Sequence, residues 1–240
     1  MKKLPAIMLA LTLALSLTAC GGGGNSGTDD ITTLVKGNID AIYLGKVTDE
    51  YLTLIDSTKA QALQEYQDGL DVEAEYFCYY TGIVESEYSE TYDDVSDANK
   101  QRIINLYKQI YDKSKYEVSD AVAQSDGDYT CKVVIYPIDI MEQADDVLNS
   151  GTYQPYEDFS AKWATAETDG KSDAELDAMY QEFSNDYADV MIGLVESLLP
   201  ELGYKEPKSM SIQVQKGDDD VYRINTDDWN NIDNNMIYYP

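Results

Sequence analysis

Ile31, Leu34, Val35, Ile39, Ile42 and Tyr43 recur at intervals of three and four residues, the rhythm that lines apolar side chains along one face of a helix. Thr28 or Asp29 is placed to cap its start, and Gly45 to stop it. After a short segment from Asp49 to Ile55, Ser57 caps a longer predicted helix that runs to about Val84. Its apolar side reads Leu63, Tyr66, Leu70, Ala74, Phe77, Cys78 and Thr81. Residues 85–99 are acidic and serine-rich without a period, which predicts a loop before Asp97 caps another helix. The stripe of that helix is Ile103, Ile104, Tyr107, Ile110 and Tyr111.

The period then changes from helical to alternating. Tyr116 to Val122 and Tyr129 to Tyr136 are β-rich runs joined by the turn residues Ser125, Asp126, Gly127 and Asp128, with Pro137 ending the second strand. Residues 139–199 return to helix, in one segment near Ile140 to Leu148, another from Tyr156 to about Glu167, and a long one from Ser172. Leu176, Met179, Tyr180, Phe183, Tyr187, Val190, Met191, Leu194, Val195 and Leu198 mark the long one as the strongest amphipathic pattern in the chain, stopped by Pro200 and Gly203. A second hairpin follows: Met210, Ile212 and Val214, a turn over 216–220, then Val221, Tyr222 and Ile224. Thr226 is placed to cap a short terminal helix. Two hairpins separated by helices, without strand-helix-strand alternation, predict an α+β fold in which helices pack on a curved antiparallel sheet of about four strands.

Hydrophobic residues make up 43% of the 240 and aromatic residues 11%, enough to build a core. Residues 29–240 are read as a single α+β domain. The N-terminus has a different character. Lys2 and Lys3 precede an apolar run from Leu4 to Ala19, which is short for a membrane span and reads as a signal peptide over residues 1–19. Leu17-Thr18-Ala19-Cys20 resembles the bacterial lipobox. That resemblance implies cleavage before Cys20 and a diacylglyceryl group on its sulfur, which would hold the chain on the outer face of a cell membrane. Residues 20–28, with Gly21 to Gly24, read as a flexible tether.

The formal charge of the whole chain is −28, and loss of residues 1–19 removes Lys2 and Lys3 but no acid, leaving −30. Such a field repels nucleic-acid phosphates and anionic headgroups, so no nucleic-acid partner is expected. The chain has no histidine, which excludes Ser-His-Asp and Cys-His catalysis and His-ligated zinc. Cys78 and Cys131 read as two small buried hydrophobes, with a disulfide as the alternative. Asp126-Gly127-Asp128 and Asp218-Asp219-Asp220 suggest calcium, but neither has the spacing of an EF-hand loop, and hairpin turns explain both. No metal or cofactor is expected. With 45 acids, some carboxylate pair must fall at glycosidase spacing, so spacing alone nominates no catalytic residue.

Tyrosine is abundant, at 21 residues. Tyr107, Tyr111, Tyr180 and Tyr187 sit at helical spacing and are expected in the core. Tyr153, Tyr156 and Trp163, near Pro155 where a loop enters a helix, are the candidate ligand contacts, since such rings stack on sugars or grip peptides.

Five stretches carry a further likeness: the lipobox with its glycine run, Glu50-Tyr51-Leu52, Glu75-Tyr76-Phe77, the run from Ile110 to Tyr116, and Val134 to Asp139. On these the chain resembles uncharacterised lipoproteins of gut Firmicutes built on domains of unknown function. The order of elements is loosely similar to NTF2-like and cystatin-like domains. Neither resemblance implies an activity. Three functional classes follow: an extracytoplasmic module binding a small molecule, glycan or protein; an accessory envelope component partnering another surface protein; and a histidine-free carboxylate hydrolase.

Overall fold

The computed structural model describes residues 15–16, 26–84, 95–217 and 221–240. It is an α+β fold, with, among the described residues, eight helices and an antiparallel sheet of four main strands curled into a half-barrel. The chain divides into two compact units, one comprising Met1–Gly69, Tyr111–Ile138 and Tyr204–Tyr239, the other Leu70–Ile110 and Asp139–Gly203.

The first unit holds the sheet. Its strands are β2 (Lys115–Val118), β4 (Tyr129–Tyr136), β5 (Lys208–Lys216) and β6 (Val221–Ile224), in the order β6-β5-β4-β2. Two-residue strands add to this: β1 (Leu15–Ser16) pairs with β6, and β3 (Val122–Ala123) with β4. The β4 alternation is read correctly from sequence, for Cys131, Val133 and Ile135 are buried while Lys132 is exposed. Helices α1 (Ser26–Leu44) and α8 (Thr226–Met236) cover this face. Ile31, Leu34, Val35 and Ile39 of α1 and Ile232 of α8 are fully buried, as are Ile212 and Val214 of β5. Each such aliphatic side chain withdrawn from water contributes about 1.5–3 kcal/mol before chain entropy is subtracted.

The predicted strand from Tyr116 to Val122 is broken in two. Val118 pairs with Val133 and Val122 with Thr130, so four steps on one side oppose three on the other, which is a bulge. The displaced Ala121 amide donates to Thr32 Oγ1 on α1 at 2.8 Å, while Lys132 N donates to Ser119 Oγ at 3.0 Å. Helix α1 begins at Ser26, three residues inside the stretch read as tether, and Thr32 Oγ1 donates back to Thr28 O. Thr58 rather than Ser57 opens α3 (Lys59–Tyr80), in a reciprocal cap where Gln61 N donates to Thr58 Oγ1 and Thr58 N to Gln61 Oε1. Asn225 rather than Thr226 caps α8, accepting from the amides of Asp227 and Asp228. Leu63, expected on the buried side of α3, is 37% exposed, and Ala62 takes the buried place at 2%.

α3 begins in the first unit and ends in the second, which is helical. It contains α4 (Asp97–Tyr111, save its last residue), α5 (Ile140–Ser150), α6 (Gln154–Ala164) and α7 (Asp173–Leu198), with a 3-10 turn at Leu199–Glu201. Its core is built from Phe77 of α3, Ile103, Leu106 and Tyr107 of α4, Ile140 of α5, and Ile192 and Val195 of α7. Phe77 and Tyr107 meet edge to face at 6.2 Å. Ser172 and Glu175 close a full capping box at the start of α7. Cys78 and Cys131 are both buried and free, so the disulfide alternative does not hold. The acidic segment 85–94 and Asp218 to Asp220 lie outside the described residues, as does Cys20.

Candidate functional site

The three candidate aromatic residues are placed by α6. Tyr153 is its N-cap residue, half-buried, and its hydroxyl donates to Val190 O at 3.4 Å. Burial, and then the charge of Glu196, push its phenol upward. It does not join the other two. Tyr156 and Trp163 lie about one and three turns along α6 from Tyr153 and, with Phe159 between them at 9% exposure, meet a row on α7. Phe159 lies 5.1 Å from Phe183 and 5.3 Å from Tyr187; Trp163 meets Phe183 edge to face at 5.2 Å; Tyr156 lies 6.4 Å from Tyr187. These separations are those of favourable ring pairs, each adding about 0.5–1.5 kcal/mol beyond area burial.

The cluster is pinned at its edges. Trp163 Nε1 donates to Asp186 Oδ2 at 3.2 Å, and Lys162 Nζ reaches both that oxygen at 2.5 Å and Glu182 Oε1 at 2.9 Å. These bonds hold the Lys162 ammonium above its ordinary range. The same nitrogen stands 4.9 Å from the Trp163 ring centre, within cation-π range. Tyr187 donates to Thr81 O at 2.9 Å, and burial pushes its phenol upward.

One half of the α7 stripe departs from expectation. Tyr180, expected in the core, is 59% exposed, and Phe183 is 39% exposed. Towards the C-terminus the same stripe is buried at Met191, Ile192, Leu194 and Val195. Phe159 and Phe183 belong to the aromatic cluster but were read only as helix pattern or not at all. Their signal was in the spacing, since Tyr156, Phe159 and Trp163 stand at i, i+3 and i+7, and Phe183 and Tyr187 at i and i+4.

A separate cleft of about 170 Å³ opens in the first unit, lined by Thr33, Lys36, Gly37, Asp40, Lys46, Thr48 and Glu50. Both oxygens of Asp40 are engaged there. Lys36 Nζ lies 2.6 Å from Oδ2, and the Tyr116 hydroxyl donates to Oδ1 at 2.5 Å. Burial, then that bond, push the Tyr116 phenol well above its ordinary value. A carboxylate with both oxygens so occupied ties α1 to β2.

Among the described residues there is no group of three or more side chains suited to hold a metal ion, and no helix is long and apolar enough to cross a membrane. Asp126-Gly127-Asp128 is a turn, with Asp128 N donating to Asp126 Oδ1 and Lys216 N to Asp128 Oδ1.

Fold and surface together define an α+β protein with a pinned, partly exposed aromatic face on α6 and α7. No family model matches the chain, and no curated protein matches it. A solved structure, that of a "putative lipoprotein (ycdA)" from Bacillus subtilis, matches with a TM-score of 0.55 over 88% of this chain at 16% identity. The chain spans 56% of the length of that neighbour. At such identity the likeness is one of fold.

Proposed function

We propose that the chain is a lipid-anchored extracytoplasmic lipoprotein that acts as a binding module, with the α6–α7 aromatic face as its binding surface. The observation that carries the binding role is the exposure of Tyr180 and of Phe183, the latter against the pinned ring of Trp163. Apolar rings left in water next to a rigid neighbour are what a binding surface supplies, because little side-chain freedom remains to be lost on contact. The anchor rests on Leu17-Thr18-Ala19-Cys20 after a basic, apolar leader, and the description of the Bacillus structure as a putative lipoprotein agrees with it. Cleavage before Cys20 would remove the β1 pair and leave β6 as the edge of the sheet.

Two experiments test this. Cells expressing the full chain and fed an alkyne-tagged fatty acid should label it, and Cys20→Ser should abolish the label and release the protein from the membrane; label retained on Cys20→Ser refutes the anchor. Thermal-shift and array screening of glycans and peptides should find a ligand whose effect is lost in Trp163→Ala. Binding that ignores Trp163 and Phe183 would remove the face from the reading. The second reading, an accessory envelope component, uses the same exposed Tyr180. Photo-crosslinking from position 180 in cells should then capture one reproducible surface protein.

A further inference from the structure

We propose that the α6–α7 face docks a lysine- or arginine-rich amphipathic segment of a partner protein, apolar side inward. This rests on the binding face proposed above and adds the chemistry of what occupies it. Leu176, Met179, Tyr180 and Phe183 stand at i, i+3, i+4 and i+7 on α7, so they form one continuous stripe. Ridged apolar stripes of this kind receive the apolar face of an extended or helical segment.

The rim fixes the sign of the partner. On the helical wheel of α7, Asp173 and Asp177 fall along one border of the stripe and Glu182 and Asp186 along the other. Asp173 and Asp177 are exposed. The lysine nearest the aromatic cluster, Lys162, already serves Glu182 and Asp186. From Gln154 to Leu198 the chain holds eleven acids against two lysines. A segment covering Tyr180 and Phe183 therefore brings its own flanks against carboxylates, and only cationic flanks avoid a like-charge penalty. The same field turns away phosphate-bearing polymers and anionic lipid. A second copy of the chain, at −28, has the wrong sign, and so does its own 85–94 segment with Glu85, Glu87, Glu90, Asp93 and Asp94.

The test uses the full chain in zwitterionic lipid nanodiscs, with empty discs subtracted, and labelled 18-residue peptides read by fluorescence anisotropy. One peptide has leucine and phenylalanine on one helical face and lysine on the other; a second replaces lysine by glutamate; a third scrambles the lysine peptide so that no apolar face forms. The lysine amphipath should bind at least about tenfold more tightly than either control, and Tyr180→Ser and Phe183→Ser should each weaken it about tenfold. Asp177→Asn should weaken it about threefold at low salt and reduce its salt dependence. If Phe183→Ser loses its circular dichroism signal, Tyr180→Ser, at an exposed position, decides alone. Equal binding of the glutamate or scrambled peptide, or no effect of Tyr180→Ser, overturns the proposal. A dimer that Tyr180→Ser makes monomeric would put a second copy on the face and overturn it as well. A neutral glycan or peptide that needs Trp163, with no binding of the lysine amphipath, removes the cationic partner but leaves the binding face standing. Loss of every Trp163-dependent signal removes both.

Discussion

Gly37 lies inside α1, where alanine would ordinarily be the better residue by about 1 kcal/mol. Here the gain is opposed by the Tyr51 ring. A Cβ on Gly37 would meet Cδ2, Cγ and Cε2 of Tyr51 at 2.2, 2.5 and 2.8 Å, where carbon atoms rest about 3.5–4.0 Å apart. Tyr51 is 1% exposed and begins inside α2 (Asp49–Leu54), whose N-cap Thr48 accepts from the Tyr51 amide, so the ring has little room to retreat. Overpacking costs about 1–3 kcal/mol, and a clash of this depth belongs at the upper end. Gly37→Ala is therefore expected to destabilise by about 2 kcal/mol net, a fall in Tm of about 4–8 °C for a chain of this size. Gly193 on α7 is the control. Its Cβ would meet only the Tyr153 hydroxyl, at an ordinary 3.5 Å, so Gly193→Ala should keep the helix gain and raise Tm by about 2–4 °C. Thermal melts of both variants by circular dichroism decide the matter. If Gly37→Ala melts at or above the parent, the α1–α2 packing described here is wrong.

Among the described residues the buried Tyr51 hydroxyl has no hydrogen-bond partner, so Tyr51→Phe should leave stability unchanged or raise it by about 1 kcal/mol, measured as a urea midpoint; a loss of 2 kcal/mol or more would reveal a hidden partner. Burial pushes the Cys78 thiol up to about 12 and that of Cys131 to about 11, against an ordinary value of 9.0. Both thiols should therefore resist alkylation in the folded chain and react in concentrated urea. Because the folded values are raised, the stability they contribute is intact below about pH 9 and is lost as pH rises through 11 and 12, so urea midpoints should fall over that window. Arg102 bridges Asp189 Oδ1 at 2.6 Å and Glu196 Oε2 at 2.9 Å, but all three side chains are more than a third exposed. Arg102→Ala should cost only about 1 kcal/mol, and less in high salt.

How much of this was legible depended on whether the signal was local. The alternation in β4, the start of α7 at Ser172, and the stripe of α4 each lie within a few residues, and all appear where the pattern puts them. The break between β2 and β3 was invisible because its cause is Thr32, 89 residues away, which offers the Ala121 amide a different acceptor. The anchoring of Asp40 by Tyr116 was hidden for the same reason, since only the i, i+4 pair with Lys36 shows in the sequence. Of the three candidate rings, Tyr156 and Trp163 lie in the α6–α7 aromatic cluster and Tyr153 lies apart from it. Being next to a helix start in sequence says nothing of which way a ring turns, and Tyr153 turns to Val190 and lies against Gly193.

The long stripe of α7 shows most clearly what periodicity leaves undetermined. Spacing specifies that Leu176 to Leu198 share a side, and hydrophobicity specifies that water is unfavourable there, but neither says which turns have something to lie against. Within its unit, α5 packs on α7 and Arg102 of α4 reaches Asp189 and Glu196, while α6 reaches Phe183 and Tyr187 and stops at Ala164, leaving Tyr180 in solvent. The acids follow the same division. Along the buried turns Asp189 and Glu196 are joined to Arg102, whereas Asp173 and Asp177 on the open turns are solvent-exposed. Phe183 is held by its ring pairs with Phe159 and Trp163, whereas Tyr180 stands 59% exposed, where a polar residue would cost little stability. These rings between two acidic borders are the ground on which the apolar, cationic partner is proposed.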